Sequence, residues 1–202
     1  MPTSGQVVPG HRGGTIDHVT VRSPSRATAL RGAVLAVVTV ATIFVALRAS
    51  PQAAPASTVT TQPTAWQLPR LAGGGQLALS SLRGHPVVVN FFASWCTACQ
   101  GELPGLAVVS QKLRGTVTFA GIDSEETGNG LAMARQYGVD WWPLAVDSGG
   151  AGNSGLHDAL GARGMPLTAF YDANGRLLAV VTGAISEDDL RTRLHTLYGV
   201  TV

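Results

Sequence analysis

Cysteine is nearly absent from the sequence: Cys96 and Cys99 are the only two among 202 residues. A structural zinc site takes about four protein ligands, and no second cysteine pair is available to complete one. A purely structural disulfide across so short a separation would constrain little of the unfolded chain. Half a zinc site and a structural bridge are therefore weaker alternatives to a pair that cycles between dithiol and disulfide.

Other chemistries lack their sequence signals as well. No glycine-rich phosphate loop follows a predicted strand, so nothing indicates a nucleotide. The histidines after residue 80 stand in separate segments and do not indicate a metal site; they are His85, His157 and His195. The sequence therefore predicts neither a cofactor nor a metal.

An excess of positive charge is found only near the N-terminus. One acid, Asp17, lies before residue 32, together with four arginines, which are Arg12, Arg22, Arg26 and Arg31. From residue 62 onward there are nine Lys or Arg residues and eleven Asp or Glu residues, a balance near −2. The basic pI of about 8.8 thus comes from the N-terminal arm and gives no support for nucleic-acid binding by the rest of the chain.

The first 65 residues are predicted to lie outside the globular part. Residues 1–26 are rich in Gly, Ser, Thr, Pro and Arg without periodicity, which is typical of disorder. Residues 27–47 are mostly apolar and would span about 31 Å as a helix, enough for a membrane anchor. The arginines before them predict a cytoplasmic N-terminus. The alternative is a signal peptide cleaved near residue 49 or 56.

Either alternative places the remainder of the chain outside the cytoplasm. Residues 48–65 are rich in Ala, Pro, Ser, Thr and Gln and contain no acid, which predicts an extended flexible linker. The linker would hold a domain of residues 66–202 away from the membrane surface.

Strand and helix patterns alternate in residues 66–202 and end in a hairpin and a helix, which predicts an α/β fold with a mixed central sheet flanked by helices. An N-terminal β extension covers 68–82, with a glycine turn at 73–75. The further predicted strands are 76–79, 87–92, 117–123, 144–147, 167–171 and 176–182, and the predicted helices are 96–114, 128–137, 154–160 and 186–198. Pro104 is expected to kink the first of these helices.

The cysteines stand where the pattern changes from strand to helix. Cys96 is placed at the start of the helix, whose first turn presents free N–H groups and the positive end of the helix dipole. Both favour a thiolate, so the pKa of Cys96 is expected to fall below that of a free thiol. Cys99 lies one turn further on, within reach for a disulfide. Cys96 is therefore expected to be the exposed, attacking thiol and Cys99 the shielded one.

Residues 88–99, followed by Glu102 and Pro104, resemble the TlpA/ResA/DsbE-like branch of the thioredoxin fold. These proteins are membrane-anchored or exported thiol–disulfide oxidoreductases of bacteria. The resemblance covers about residues 66–200. Its other elements are 164–168, similar to the cis-proline loop of the family, 171–176, similar to the hairpin turn after that loop, and 128–147, similar to the insertion of this branch.

The resemblance implies roles for individual residues. Cys96 would be the nucleophile and Cys99 the resolving thiol. Pro166 would be a cis proline beside the disulfide, forming the substrate-binding surface with Met165 and Trp95.

Glu102 is expected to manage the proton of Cys99. Thioredoxins carry a buried Asp six residues before the first cysteine, and Asn90 occupies that position here. Glutamate occurs at the position of Glu102 in ResA-like proteins. The alternative is that Glu102 is an ordinary solvated surface residue.

The function that the resemblance implies is reduction of disulfides in exported proteins, as in cytochrome c maturation, with electrons from a membrane partner. An oxidase that installs disulfides is the alternative, because Thr97 and Ala98 stand between the cysteines where the family usually has a proline in second place. Loss of that proline frees an N–H near the Cys96 sulfur and could raise the reduction potential. A redox-inert peptide-binding module is a third interpretation, against which the intact cysteines argue. A peroxidase is a weak fourth, because its sequence context around the cysteine is missing.

Overall fold

The computed structural model describes residues 62–124, 127–149 and 155–202. The predicted disordered arm at 1–26, the predicted membrane anchor at 27–47 and the predicted linker up to residue 61 lie outside these ranges. Over the described ranges, none of the helices combines the length and the apolar character that crossing a membrane requires.

Strands and helices follow one another nearly as the sequence pattern predicts. The strands are β1 (Gln67–Pro69), β2 (Gln76–Ala78), β3 (Val87–Phe92), β4 (Thr118–Ser124), β5 (Leu144–Asp147), β6 (Leu167–Tyr171) and β7 (Leu177–Thr182). The helices are α1 (Thr97–Lys112), α2 (Gly130–Gln136), α3 (Leu156–Ala159) and α4 (Glu187–Tyr198), and a 3-10 helix covers Leu79–Leu82.

The predicted mixed sheet is confirmed. Its order is β5-β4-β3-β6-β7, in which β3, β4 and β5 are parallel while β6 runs antiparallel to both β3 and β7. The central strand β3 is buried along its whole length, as a run of valines and phenylalanines requires. Because β6 is antiparallel to β3, the end of β3 lies beside the start of β6: Phe91 pairs with Leu167.

Two hydrophobic clusters cover the two faces of this sheet. Val88 and Phe92 of β3 pack with α1 and α4 on one face, and both cysteines belong to this cluster. Val89 and Phe91 pack on the opposite face with Leu156 of α3 and the N-terminal β extension. Alternate residues of β3 thus pack against different helices on the two faces of the sheet.

The predicted N-terminal extension is an antiparallel pair of β1 and β2, joined through the glycines at 73–75, which all have positive φ. The second strand ends at Ala78, one residue earlier than predicted, because Leu79 begins the 3-10 helix. The N–H of Leu71 donates to the carbonyl of Leu144 in β5 across 3.1 Å. The extension therefore lies along the β5 side of the sheet.

Helix α1 runs without interruption through Pro104; the predicted kink stays a prediction. Its N-cap is Cys96, so the predicted start of the helix at the first cysteine is confirmed. Helix α4 begins after Ser186, whose hydroxyl accepts a hydrogen bond from the N–H of Asp189 at 3.1 Å. This is the helix start that the spacing of these two residues predicts.

Candidate active site

A disulfide joins Cys96 and Cys99, with their Cα atoms 5.2 Å apart. The bond closes at the junction where β3 passes through a short turn into α1. The Cys96 sulfur also accepts a hydrogen bond from the N–H of Cys99 at 3.1 Å. The helix N-terminus is therefore aimed at the Cys96 sulfur, the arrangement that favours negative charge on this atom.

Cys96 is much less exposed than predicted. Only 4 % of Cys96 is accessible, against 0 % of Cys99. The reason is that Cys96 packs into the same hydrophobic cluster as Phe92 and Ala93 instead of standing out from the helix end. Of the two cysteines it is still the more accessible one. The large apolar side chain that is exposed at this turn is that of Trp95, of which 48 % is accessible.

Three hydrogen bonds hold the turn between β3 and α1. The N–H of Cys96 donates to the carbonyl of Ala93 at 3.0 Å, which closes the turn itself. The side-chain amide of Gln100 donates to the carbonyl of Ser94 at 2.9 Å, and the N–H of Asn129 donates to the Ser94 hydroxyl at 3.2 Å. Helix α1 and the start of α2 thus fix the position from which Trp95 projects.

Glu102 is buried, with 4 % of its surface accessible, so the alternative of a solvated surface residue is wrong. It lies one turn beyond Cys99 on the inner face of α1. Its Oε1 accepts a hydrogen bond from the side-chain amide of Asn90 at 2.7 Å, and its Oε2 accepts one from the N–H of Ile185 at 2.9 Å. Burial raises the pKa of Glu102 from 4.5 to about 7, although the hydrogen bonds from Ile185 and Asn90 act to lower it. The carboxyl group can therefore gain or lose a proton near neutral pH.

Asn90 belongs to a buried polar group that the sequence did not predict. Its amide nitrogen lies 3.2 Å from the hydroxyl oxygen of Thr168, its partner in the β3–β6 register. Thr168 is itself fully buried and stands two residues after Pro166. A polar residue in the middle of an otherwise apolar strand was the available signal, because a buried amide needs partners.

The Met165–Pro166 peptide bond is cis, as the resemblance implies. Pro166 is buried and Met165 is half-buried. Both precede β6, whose first residue pairs with Phe91 near the end of β3. The loop of residues 164–166, here called the cis-proline loop, therefore lies at the same edge of the sheet as the cysteine turn. Two predicted site features that are about 70 residues apart in sequence are brought to one end of the sheet.

The sequence also did not predict the burial of Asp123 in β4, Asp147 at the end of β5 and His157 in α3. Asp147 accepts a hydrogen bond from the backbone N–H of His157 at 2.8 Å. Within residues 62–124, 127–149 and 155–202, no group of three or more His, Cys, Asp or Glu side chains is arranged to hold a metal ion.

Comparison with known proteins agrees with this geometry. The AhpC/TSA family matches residues 53–180. Among curated proteins, the thiol:disulfide interchange protein DsbE of Pseudomonas fluorescens biotype C is 31 % identical over 134 residues, covering 66 % of this chain and 72 % of that protein. The thiol-disulfide oxidoreductase ResA of Geobacillus thermodenitrificans is 27 % identical over 127 residues, covering 61 % of this chain and 70 % of the relative.

Solved structures give the same result. MTB DsbF, in its mixed oxidised and reduced forms, superposes with a TM-score of 0.58 at 30 % identity and covers 69 % of this chain and 99 % of its own. A secreted Mycobacterium tuberculosis disulfide oxidoreductase homologous to E. coli DsbE superposes with a TM-score of 0.55 at 27 % identity, covering 65 % and 96 %. The fold is thus thioredoxin-like. The chain belongs to the AhpC/TSA family, as a thiol–disulfide oxidoreductase of the ResA and DsbE type.

Proposed function

We propose that the protein works outside the cytoplasm and reduces disulfides of exported proteins with its Cys96–Cys99 dithiol. The observation that supports electron flow to the substrate is that no cationic side chain lies near Cys96 in the sequence: residues 87–111 contain no Lys, Arg or His. The Cys96 thiolate therefore receives stabilisation within its own segment only from the helix N-terminus. Strongly oxidising family members owe their high potential to a stabilised reduced form. A reduced form that is stabilised only in this way, without a neighbouring cation, gives electrons away more readily.

The reaction proceeds in two exchanges. The Cys96 thiolate attacks one sulfur of a substrate disulfide, which forms a mixed disulfide and releases the other substrate sulfur as a thiolate. Cys99 then loses its proton and attacks the Cys96 sulfur, which forms the Cys96–Cys99 disulfide and releases the second substrate thiolate. Two electrons pass to the substrate.

Glu102 takes the proton of Cys99 in the second exchange. A base suited to this step needs a pKa near the working pH, and burial raises the pKa of Glu102 to about 7. The spacing of three residues on α1 puts its carboxyl group on the same face as Cys99. In the opposite direction of electron flow the same carboxyl group returns the proton.

The substrate is received by Trp95, Met165 and Pro166. The exposed indole of Trp95 offers an apolar surface next to Cys96. The backbone of Met165, held at the same edge of the sheet by the cis peptide bond, offers polar groups to an extended peptide in the manner of an added strand. The substrates are therefore segments of exported proteins that carry a disulfide.

The N-terminal sequence supports the proposed location. The basic arm at 1–26, the apolar stretch at 27–47 and the linker at 48–65 support a membrane anchor with the domain of residues 66–202 outside. One of the related solved structures is described as a secreted protein. Each turnover leaves Cys96 and Cys99 oxidised, so a membrane partner with a dithiol must reduce them again. Resistance of the mature protein to carbonate extraction tests the anchor, and an N-terminus near Ser50 or Ser57 would contradict it.

The oxidase alternative has one observation in its favour. Thr97 and Ala98 replace the usual proline-containing dipeptide, and the N–H of Cys99 already points at the Cys96 sulfur. Additional N–H donors near that sulfur stabilise its thiolate and raise the potential. This alternative uses the same residues and the two exchanges in reverse order.

Equilibration of the purified domain with glutathione buffers separates the two directions. A reduction potential near that of thioredoxin, about −270 mV, is the expected result for a reductase. A value near about −120 mV would contradict the proposal and favour the oxidase.

A further inference from the structure

Two hydrogen bonds hold the cis-proline loop, one at each end. The carbonyl of Pro166 accepts a hydrogen bond from the N–H of Gly183 at 2.8 Å. The carbonyl of Gly164 lies 3.2 Å from Nε2 of His157. A carbonyl oxygen can only accept, so the imidazole must donate from a protonated Nε2. The Gly164–Met165 peptide group is therefore held through its own carbonyl, and the Met165–Pro166 peptide group lies next to the held carbonyl of Pro166.

His157 is itself firmly placed. It is fully buried, and its backbone N–H donates to Oδ2 of Asp147 at the end of β5. Its ring packs at 56° against the ring of Phe91, with the centroids 5.8 Å apart. Phe91 in turn pairs with Leu167, the first residue of β6. The imidazole thus packs against β3 at the position that pairs with the start of β6.

The position of His157 is on the face of the sheet opposite to α1. Phe91 and Leu156 belong to the cluster on this face, whereas Cys96 and Cys99 belong to the other cluster. The imidazole therefore reaches the site through the cis-proline loop rather than through the cysteines. Burying a polar ring costs free energy unless its hydrogen bonds are made, so an apolar residue would fill this place better if the loop contact had no use.

We propose that His157 is a positioning residue for protein substrates, which holds the Gly164 carbonyl and thereby orients the Met165 peptide groups that receive the substrate backbone. The inference rests on the proposed role of Met165 and adds the residue that sets its orientation. Small thiol reagents need no backbone pairing at Met165. The contribution of His157 is therefore restricted to peptide and protein disulfides.

The test compares three variants in full-length protein: His157→Leu, His157→Asn and His157→Gln. Leucine has no donor, and the amide of asparagine is too short to reach the position of Nε2. Glutamine carries an amide N–H at about that reach. His85 is exposed in the turn before β3, and the substitution His85→Leu is the matched control. The substrate is insulin, with dithiothreitol as the recycling reductant.

His157→Leu and His157→Asn are expected to raise the KM for insulin about fivefold, the equivalent of about 1 kcal/mol for one neutral hydrogen bond. Their kcat should stay within twofold of wild type. The rate at which dithiothreitol reduces the Cys96–Cys99 disulfide should not change. His157→Gln should have the wild-type KM for insulin, and so should the control His85→Leu.

An unchanged KM in His157→Asn, with normal turnover by the wild-type protein, would overturn this inference alone. The same holds if glutamine fails to restore the KM, or if the dithiothreitol rate falls in parallel with insulin turnover, because a general structural role would do both. Failure of the wild-type protein to reduce insulin at all would overturn the proposed function and the inference with it.

Discussion

The side-chain amide of Asn90 donates a hydrogen bond to the carboxyl group of Glu102 across 2.7 Å. Asn90 lies in the strand that leads to the cysteines, and Glu102 lies in the helix that follows them. In thioredoxins the acid is on the strand; here the acid is on the helix and the strand supplies a donor. A donor to a carboxylate favours the ionised form, while burial disfavours it. The balance leaves the pKa of Glu102 at about 7.

The stability of the oxidised protein should fall as pH rises from about 4.5 toward 7 and above. Glu102 has its ordinary pKa of 4.5 in the unfolded chain and a pKa of about 7 in the folded one. The folded state therefore binds the proton more tightly, and this contribution is complete below pH 4.5 and is lost as pH rises through 7. Between pH values well below 4.5 and well above 7, the free energy of unfolding should fall by roughly 3 kcal/mol through this group. Urea unfolding at several pH values measures it, and Glu102→Gln should remove this dependence.

Glu102→Gln should also slow the resolution of mixed disulfides near pH 7 by about tenfold or more, since general-base catalysis typically contributes about 100- to 10,000-fold. The step from Cys96 to the substrate should be affected little. Rapid-mixing measurements on a labelled peptide disulfide separate the two steps. Equal resolution rates in the variant and the wild-type protein would show that Glu102 is a bystander.

Cys99→Ser should accumulate covalent partners on Cys96, because the mixed disulfide forms but cannot be resolved. Cys96→Ser should trap few partners and lose activity, since its remaining thiol is fully buried. Non-reducing gels of membrane preparations show the trapped species, and mass spectrometry identifies the partner. If Cys99 of the reduced wild-type protein alkylates faster than Cys96 at neutral pH, the assignment of the two thiols is reversed.

Gly130→Ala should destabilise the protein by about 1–3 kcal/mol. A Cβ at this position would lie 2.3 Å from Oδ2 of Asp123, whose carboxyl group is buried under the start of α2. Gly101→Ala is the matched control, because a Cβ there meets nothing within 4 Å. In that helix interior alanine should stabilise by up to about 1 kcal/mol. Two similar urea midpoints would contradict the packing argument.

The strands next to the site were predictable because their sequences are short apolar runs between clear turns. Both β3 and β6 begin and end where the pattern predicts. The position of Cys96 at the N-cap of α1 followed from the change from a short apolar run to a helical spacing of apolar residues. These local signals were enough to place the cysteines at a helix N-terminus.

The polar partners of the site were not predictable in the same way. Glu102 accepts a hydrogen bond from the N–H of Ile185, which is 83 residues away. Asn90 contacts Thr168 because the register of two antiparallel strands pairs them. The contact of His157 with Gly164 depends on where α3 packs against the sheet. Such contacts are set by tertiary packing, and no pattern in the neighbouring residues encodes them. The burial of Cys96 in the cluster with Phe92 and Ala93 depends on tertiary packing as well.

The long separation between Glu102 and Ile185 has a consequence during synthesis. A chain that leaves the ribosome presents both cysteines long before residue 185 follows. Until then the Glu102 carboxyl group lacks the backbone N–H that it accepts in the folded domain. The newly emerged cysteines are therefore exposed to oxidants and other thiols before their buried acid is in place, and the site is completed only when the loop before α4 arrives.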